Sequence, residues 1–125
     1  MHRSRVWGII IDCDDVEEGV HFWSAALGVG VKTRSGPYVG LEPIPRGFHV
    51  VLQAVPEAKT AKSRVHLDIE TDDVEAEVRR LEALGARRRE QVERWWVMLD
   101  PCGNEFCVVP IQDGDFPQDS VEWES

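Results

Sequence analysis

The sequence predicts an α+β fold of two tandem βαβββ units, with eight strands in a mixed sheet that forms an open cup and the helices outside it. Three observations carry this. An acid-rich segment occurs twice: Ile11-Asp12-Cys13-Asp14-Asp15-Val16-Glu17 returns as Ile69-Glu70-Thr71-Asp72-Asp73-Val74-Glu75. Each copy then runs through a stretch of helical periodicity to Leu-Gly, at Leu27-Gly28 and Leu84-Gly85. The offset is 58 residues at the start and 57 at the end, close to half of the 125-residue chain, as a duplicated supersecondary unit requires.

The elements follow in order. Residues 6–12 are rich in branched side chains and end in acids, which reads as a strand. Asp14 and Asp15 offer N-cap oxygens to a helix over 16–27, and Gly28 supplies its left-handed stop. Val16, Val20, Trp23 and Leu27 recur at spacings of four, three and four and define its apolar face. Strands are expected over 30–34, 38–42 and 48–54, separated by Ser35-Gly36-Pro37 and by the Pro/Gly-containing residues 43–47. Residues 56–62, with Lys59 and Lys62, form the hinge between copies.

In the second copy a strand over 64–70 alternates, with Val65, Leu67 and Ile69 toward the helix and Arg64, His66, Asp68 and Glu70 toward the concave face. A helix over 74–84 is capped by Asp72 or Asp73 and carries the stripe Val74, Val78, Leu81 and Leu84. Strands over 86–92, 95–99 and 105–109 complete the unit, the last two joined by the turn Asp100-Pro101-Cys102-Gly103-Asn104. Residues 1–112 are read as one domain with repeats at 5–55 and 63–110, and residues 113–125 as an acidic tail.

The net charge of −9 is concentrated at the end, where Asp113, Asp115, Asp119, Glu122 and Glu124 occur without a base. Such a balance repels phosphate backbones and argues against a nucleic-acid partner. The tail is read as a solvated terminus. Apolar runs are far shorter than the roughly 20 residues of a membrane span, so no membrane partner is expected. The basic N-terminus leads into a run that breaks at Asp12 without a cleavage site, which is not a signal peptide. Cys13, Cys102 and Cys107 are an odd number without CxxC spacing, as in a reducing compartment. The cytoplasm is the expected location.

The βαβββ order, the helix ending HFWSAALG, the stretch KTAKSRVHLDIE and the turn segment DPCGNEFCVV together resemble the vicinal oxygen chelate superfamily. The likeness is to its glyoxalase-like and bleomycin-resistance-like branch, over about residues 5–110. The resemblance implies the glyoxalase/bleomycin resistance/dihydroxybiphenyl dioxygenase-like fold, a homodimer, and a ligand site on the concave face. Metal-using members draw their ligands from the first and last strands of each copy. His66, seven residues before Asp73, falls on such a position; seven residues before Asp15 stands Gly8, which has no side chain to offer. The family's glutamate three residues past the asparagine is replaced by Cys107, with Glu105 nearby on the same face. Gln53 is placed at the remaining position. Gln53, His66 and Cys107 are therefore the candidate metal set, and a poor one, since an amide, an imidazole and a thiol without the usual carboxylate suit few catalytic cations.

Other residues divide by strand parity. Adjacent Trp95 and Trp96 must face opposite sides, one packing under the helix and the other entering the cup as a stacking platform. Trp7 is grouped with Ile9 and Ile11 on the helix-facing row. His21 and His49 are read as surface or packing residues, and Arg87-Arg88-Arg89 as a solvated edge segment. Cys107 reads as a small buried hydrophobe.

Two functions compete. The first is a small-molecule binding protein of the bleomycin-resistance type, without a metal cofactor, that takes an aromatic or cationic ligand on Gln53, His66, Trp95, Trp96, Glu105 and Cys107. The second is a glyoxalase-like lyase or isomerase that uses a divalent metal, with His66 and Glu105 as its catalytic residues.

Overall fold

The computed structural model describes residues 1–3, 5–45, 47–112, 116 and 120–124. The first copy contains β1 (Gly8–Cys13), α1 (Val16–Leu27), β2 (Val31–Ser35), β3 (Tyr38–Leu41) and β4 (His49–Ala54). The second contains β5 (Leu67–Thr71), α2 (Val74–Ala83), β6 (Arg87–Val92), β7 (Trp95–Leu99) and β8 (Glu105–Pro110). The eight strands stand in two sheets of four, ordered β1-β4-β3-β2 and β5-β8-β7-β6, and not in one continuous ladder. In each, the outermost strand runs parallel to the last strand of its copy, β1 to β4 and β5 to β8. The two sheets form the cup, with β1 and β5 each at one edge of its sheet and both bordering the hollow at the seam between the copies.

Local chemistry sets the helices. Asp15 caps α1 by accepting from the Glu18 N–H at 3.2 Å, and Asp73 caps α2 by accepting from the Ala76 N–H at 3.1 Å. Gly28 takes φ +72°, the left-handed conformation that ends α1 at little cost only for glycine.

Each helix covers one face of its sheet, and the two apolar layers merge into one core. Phe22, Trp23, Leu52, Val78, Leu81, Met98, Phe106 and Val108 are all buried in it. Each large side chain withdrawn from water contributes roughly 1.5–3 kcal/mol before chain entropy is counted. Trp23 of α1 meets Phe106 of β8 edge-on at 5.3 Å, so the copies share aromatic packing across the seam. Arg80 of α2 donates to the Ala26 carbonyl at 2.9 Å near the end of α1, while Glu77 holds its guanidinium from the other side at 2.7 and 2.9 Å. The same guanidinium lies 3.8 Å over the ring of Trp123, which gives that tail residue a docking point. The acidic residues Asp113, Asp115 and Asp119 lie outside the described residues.

Three expectations are corrected. The strand predicted over 64–70 begins at Leu67, because its neighbour β8 begins at Glu105 and the Glu105 carboxylate takes the Ser63 N–H. Val65 is consequently 84% exposed and does not face the helix. Trp7 precedes β1, so alternation does not govern it, and it stacks on His49 at 4.3 Å between ring centroids. Arg88 is half-buried in ion pairs with Glu75 and Glu82, its guanidinium 4.9 Å over Trp96, so the arginine run is not uniformly solvated.

Candidate functional site

A hollow of about 460 Å³ lies at the seam. Its walls are the β1 run Ile9 to Asp12, the residues Val65, His66 and Leu67 entering β5, and the linker from Val55 to Ser63. Trp23, Cys102, Asn104 and Glu105 also line it, as do Asp14 and Glu57. A second hollow, of about 620 Å³, lies on the concave face of the first sheet against Trp7, Ile10, Lys32, Tyr38, His49 and Val51.

One buried carboxylate anchors the seam. Asp100, fully buried, accepts the Trp23 indole N–H at 2.8 Å, the Cys102 and Asn104 backbone N–H groups at 2.9 and 2.8 Å, and the Asn104 side-chain amide at 3.1 Å. Asn104 Nδ2 also donates to the Asp12 carbonyl at 3.1 Å, so the β7–β8 turn clasps β1 and α1 together. Sequence reasoning took Asp100 for a turn former. Its second role needs a partner 77 residues away and has no local signal.

A second carboxylate holds the linker. Glu105 pairs with Lys59 Nζ at 2.5 Å, accepts from the Ser63 N–H at 3.0 Å and has Arg89 Nη1 at 3.6 Å. Burial acts to raise its pKa, but Lys59 and the Ser63 N–H act against it and hold the carboxyl at about 2. A carboxylate so stabilised is a weak base, and its contacts with Lys59 and Ser63 fasten the linker to β8.

The donor positions can be compared between copies by register. β1 places Ile11 beside Leu52, and β5 places Ile69 beside Val108. Matching these pairs puts His66 in the place of Gly8, Cys107 in the place of Val51 and Val109 in the place of Gln53. Gln53 is therefore not the counterpart of Cys107, and it does not line either hollow. The four positions related by the repeat hold Gly8, Val51, His66 and Cys107, and the first two carry no donor. A Cβ on Gly8 would stand 2.5 Å from the His49 carbonyl oxygen, so backbone fills the place where a side chain would begin. A chelate drawn from both walls does not fit these residues.

The second wall gathers other donors. His66, Asp68 and Cys107 have ligand atoms all within 4.8 Å of one another, with His66 Nε2 3.3 Å from Asp68 Oδ1. His66 and Asp68 are exposed, whereas Cys107 is buried beside Asp68 in the parallel register of β5 and β8. Burial, then the Asp68 charge, pushes the Cys107 thiol pKa up.

The tryptophans separate as alternation requires. Trp96 packs, partly buried, against the core on the helix side. Trp95 lies on the opposite face with Val97, Leu99 and Cys107. Neither lines either hollow; Trp7, Tyr38 and His49 line the second, and Trp23 borders the first. Among the described residues no helix is long and apolar enough to cross a membrane.

Residues 8–109 match the family model described as a glyoxalase-like domain. A search of curated proteins with the sequence found no match. Among solved structures, the chain is similar to a glyoxalase/bleomycin resistance protein from Albidiferax ferrireducens (16% identity, TM-score 0.65, 87% of this chain and 100% of that one). It is also similar to a lactoylglutathione lyase from Agrobacterium tumefaciens (20% identity, TM-score 0.61, 86% and 94%). A third is a fosfomycin resistance protein from Listeria monocytogenes, complexed with Mn(II) and a dihydroxypropylphosphonic acid (14% identity, TM-score 0.69, 86% and 90%). At these identities the likeness is one of fold.

Proposed function

The chain belongs to the glyoxalase-like domain family, and from that premise we propose that it is a small-molecule binding protein of the bleomycin-resistance type, without the complete two-walled metal site of its metal-using relatives. The observation that carries this is the loss of donors on the first wall: Gly8 and Val51 stand where the second wall has His66 and Cys107. Two further features support it. Asp12, Asp14 and Glu57 are among the residues lining the seam hollow, and their negative charge favours a cation. The neighbouring hollow offers Trp7 stacked on His49, with Tyr38 beside them, as flat surfaces for a planar group. Trp95 is the equivalent aromatic on the second wall. The protein acts as a homodimer that buries its open edges about a two-fold axis, in the cytoplasm, with no nucleic-acid or membrane partner.

The grouping of His66, Asp68 and Cys107 favours a second reading, a metal-dependent lyase or isomerase acting on a small oxygenated substrate, with His66 as the group that moves a proton. Titrating the protein with basic aromatic compounds tests the first reading. Quenching of tryptophan fluorescence that weakens in Trp7→Phe or Trp95→Ala is expected. Stoichiometric divalent metal in protein purified without a nickel column, lost in His66→Ala together with turnover, would replace it by the second.

A further inference from the structure

We propose that His66, Asp68 and Cys107 form a one-walled site for a thiophilic divalent ion with a filled d shell, of the zinc or cadmium kind. The proposal goes beyond the small-molecule reading and does not rest on it. It follows from where the donors stand. Asp68 and Cys107 are register partners on β5 and β8, and His66, the residue just before β5, brings its Nε2 to 3.3 Å from Asp68 Oδ1. All three donors therefore come from the second copy, and none is owed to the first, whose corresponding positions are mute.

The donor set decides the ion. A thiolate with an imidazole and one carboxylate oxygen suits zinc or cadmium; magnesium and calcium require shells of oxygen, which a single carboxylate does not provide. Tetrahedral zinc at ordinary bond lengths sets its donors about 3.3–3.8 Å apart. His66 Nε2 and Asp68 Oδ1 already stand at 3.3 Å, and the whole set lies within 4.8 Å. The remaining closure, about 1 Å at most by those ligand lengths, falls to rotation of His66 and Asp68. Both side chains are free to turn, being 46% and 56% exposed, while Cys107 is fixed on a strand with neighbours on both sides. Three protein donors leave a fourth position for water or a ligand, and His66 borders the seam hollow. On binding, the Cys107 thiol releases its proton to solvent and the sulfur takes up the metal, so one proton appears per ion bound.

The test is a titration of metal-free protein with Cd²⁺, followed by ultraviolet sulfur-to-metal charge transfer. One equivalent should develop the band, Zn²⁺ should compete it away, and Mg²⁺ in large excess should not. Cys107→Ser should abolish the band, whereas Cys13→Ser and Cys102→Ser should keep it. Asp68→Asn and His66→Ala should keep the band but weaken Cd²⁺ binding by more than the 10–100-fold typical of losing a mere supporting hydrogen bond. No band from folded protein, a band that survives Cys107→Ser, or equal competition by Mg²⁺ overturns the proposal. If Cys107→Ser does not fold, the two exposed-residue variants decide, and affinity within threefold of the parent in both also overturns it. Fluorescence quenching by basic aromatics, measured on the same metal-free protein, reports separately on the small-molecule reading.

Discussion

Replacing Asp100 by alanine should uncouple the two copies. The carboxylate is wholly buried and receives four hydrogen bonds, from the Trp23 indole, the Asn104 amide and two backbone N–H groups. A buried donor left unpaired costs roughly 1–3 kcal/mol. The three donors of the half-buried turn can recover part of that from water, since alanine leaves room for it. The Trp23 indole is in the core and recovers less. Taking about 2 kcal/mol for the indole and under 1 kcal/mol for each of the others gives about 4 kcal/mol in all. A domain of this size holds only about 5–15 kcal/mol in total, so the variant should sit near the edge of folding. Urea unfolding read by far-ultraviolet circular dichroism provides the measure. With a slope near ~1.5 kcal/mol per molar, the midpoint should fall by about 2–3 M. Trp23→Phe loses both the indole bond and buried ring volume, so its cost should be smaller by about 1–2 kcal/mol in the Asp100→Ala background, where the bond is already gone and only the packing loss remains. A midpoint within 0.5 M of the parent for Asp100→Ala, or additive effects in the double variant, would refute the reasoning.

Two further outcomes are expected. Lys59→Met should destabilise the chain by about 2 kcal/mol at neutral pH, because Glu105 loses the nearer of its two cations while Arg89 and the Ser63 N–H remain. The sign with pH follows from a carboxyl held below its ordinary value of 4.5. The stabilisation is complete above that value and is lost as pH falls from there through about 2, so parent and variant should converge in acid unfolding, and a constant gap from pH 7 to pH 2.5 would contradict it. Gly8→His should not restore a two-walled metal site. The new Cβ meets the His49 carbonyl at 2.5 Å, so β1 must shift on β4 at a cost of about 1–3 kcal/mol, seen as a lower melting temperature without tighter Mn²⁺ or Ni²⁺ binding.

What was legible in the sequence follows the range of the forces involved. The first helix ends where residues 16–27 predict, because its limits are set locally by Asp15 and Gly28. The strand at Trp95–Leu99 is likewise as expected, and alternation alone separates Trp95 from Trp96. Errors occur where a distant residue decides. The start of β5 depends on where β8 begins and on Glu105 drawing in Ser63. Trp7 was assigned by parity although it lies outside the strand, where its stacking on His49 governs it. Gln53 was placed at the remaining ligand position, and only the register of two parallel pairs shows that its counterpart in the second copy is Val109. Asp100 looked like any turn aspartate, since its indole partner belongs to the other copy.

Duplication fixes where functional side chains can stand, and divergence between the copies then decides what a ligand must look like. The first wall has Gly8 closed by backbone, Val51 apolar, and Trp7, His49 and Tyr38 as flat surfaces. The second wall has His66, Asp68 and Cys107, with Glu105 already committed to Lys59. A symmetric compound gains nothing from this arrangement, because one of its ends always meets the wrong chemistry. On the proposed reading, the better ligand is a bipolar one, with a planar apolar face against Trp7 and a cationic or metal-coordinating head toward the β5 side. Splitting such a compound into its two halves should therefore give fragments that each bind weakly and do not compete with one another. Mutual displacement of the halves would place both on one wall and remove the case for an asymmetric cup.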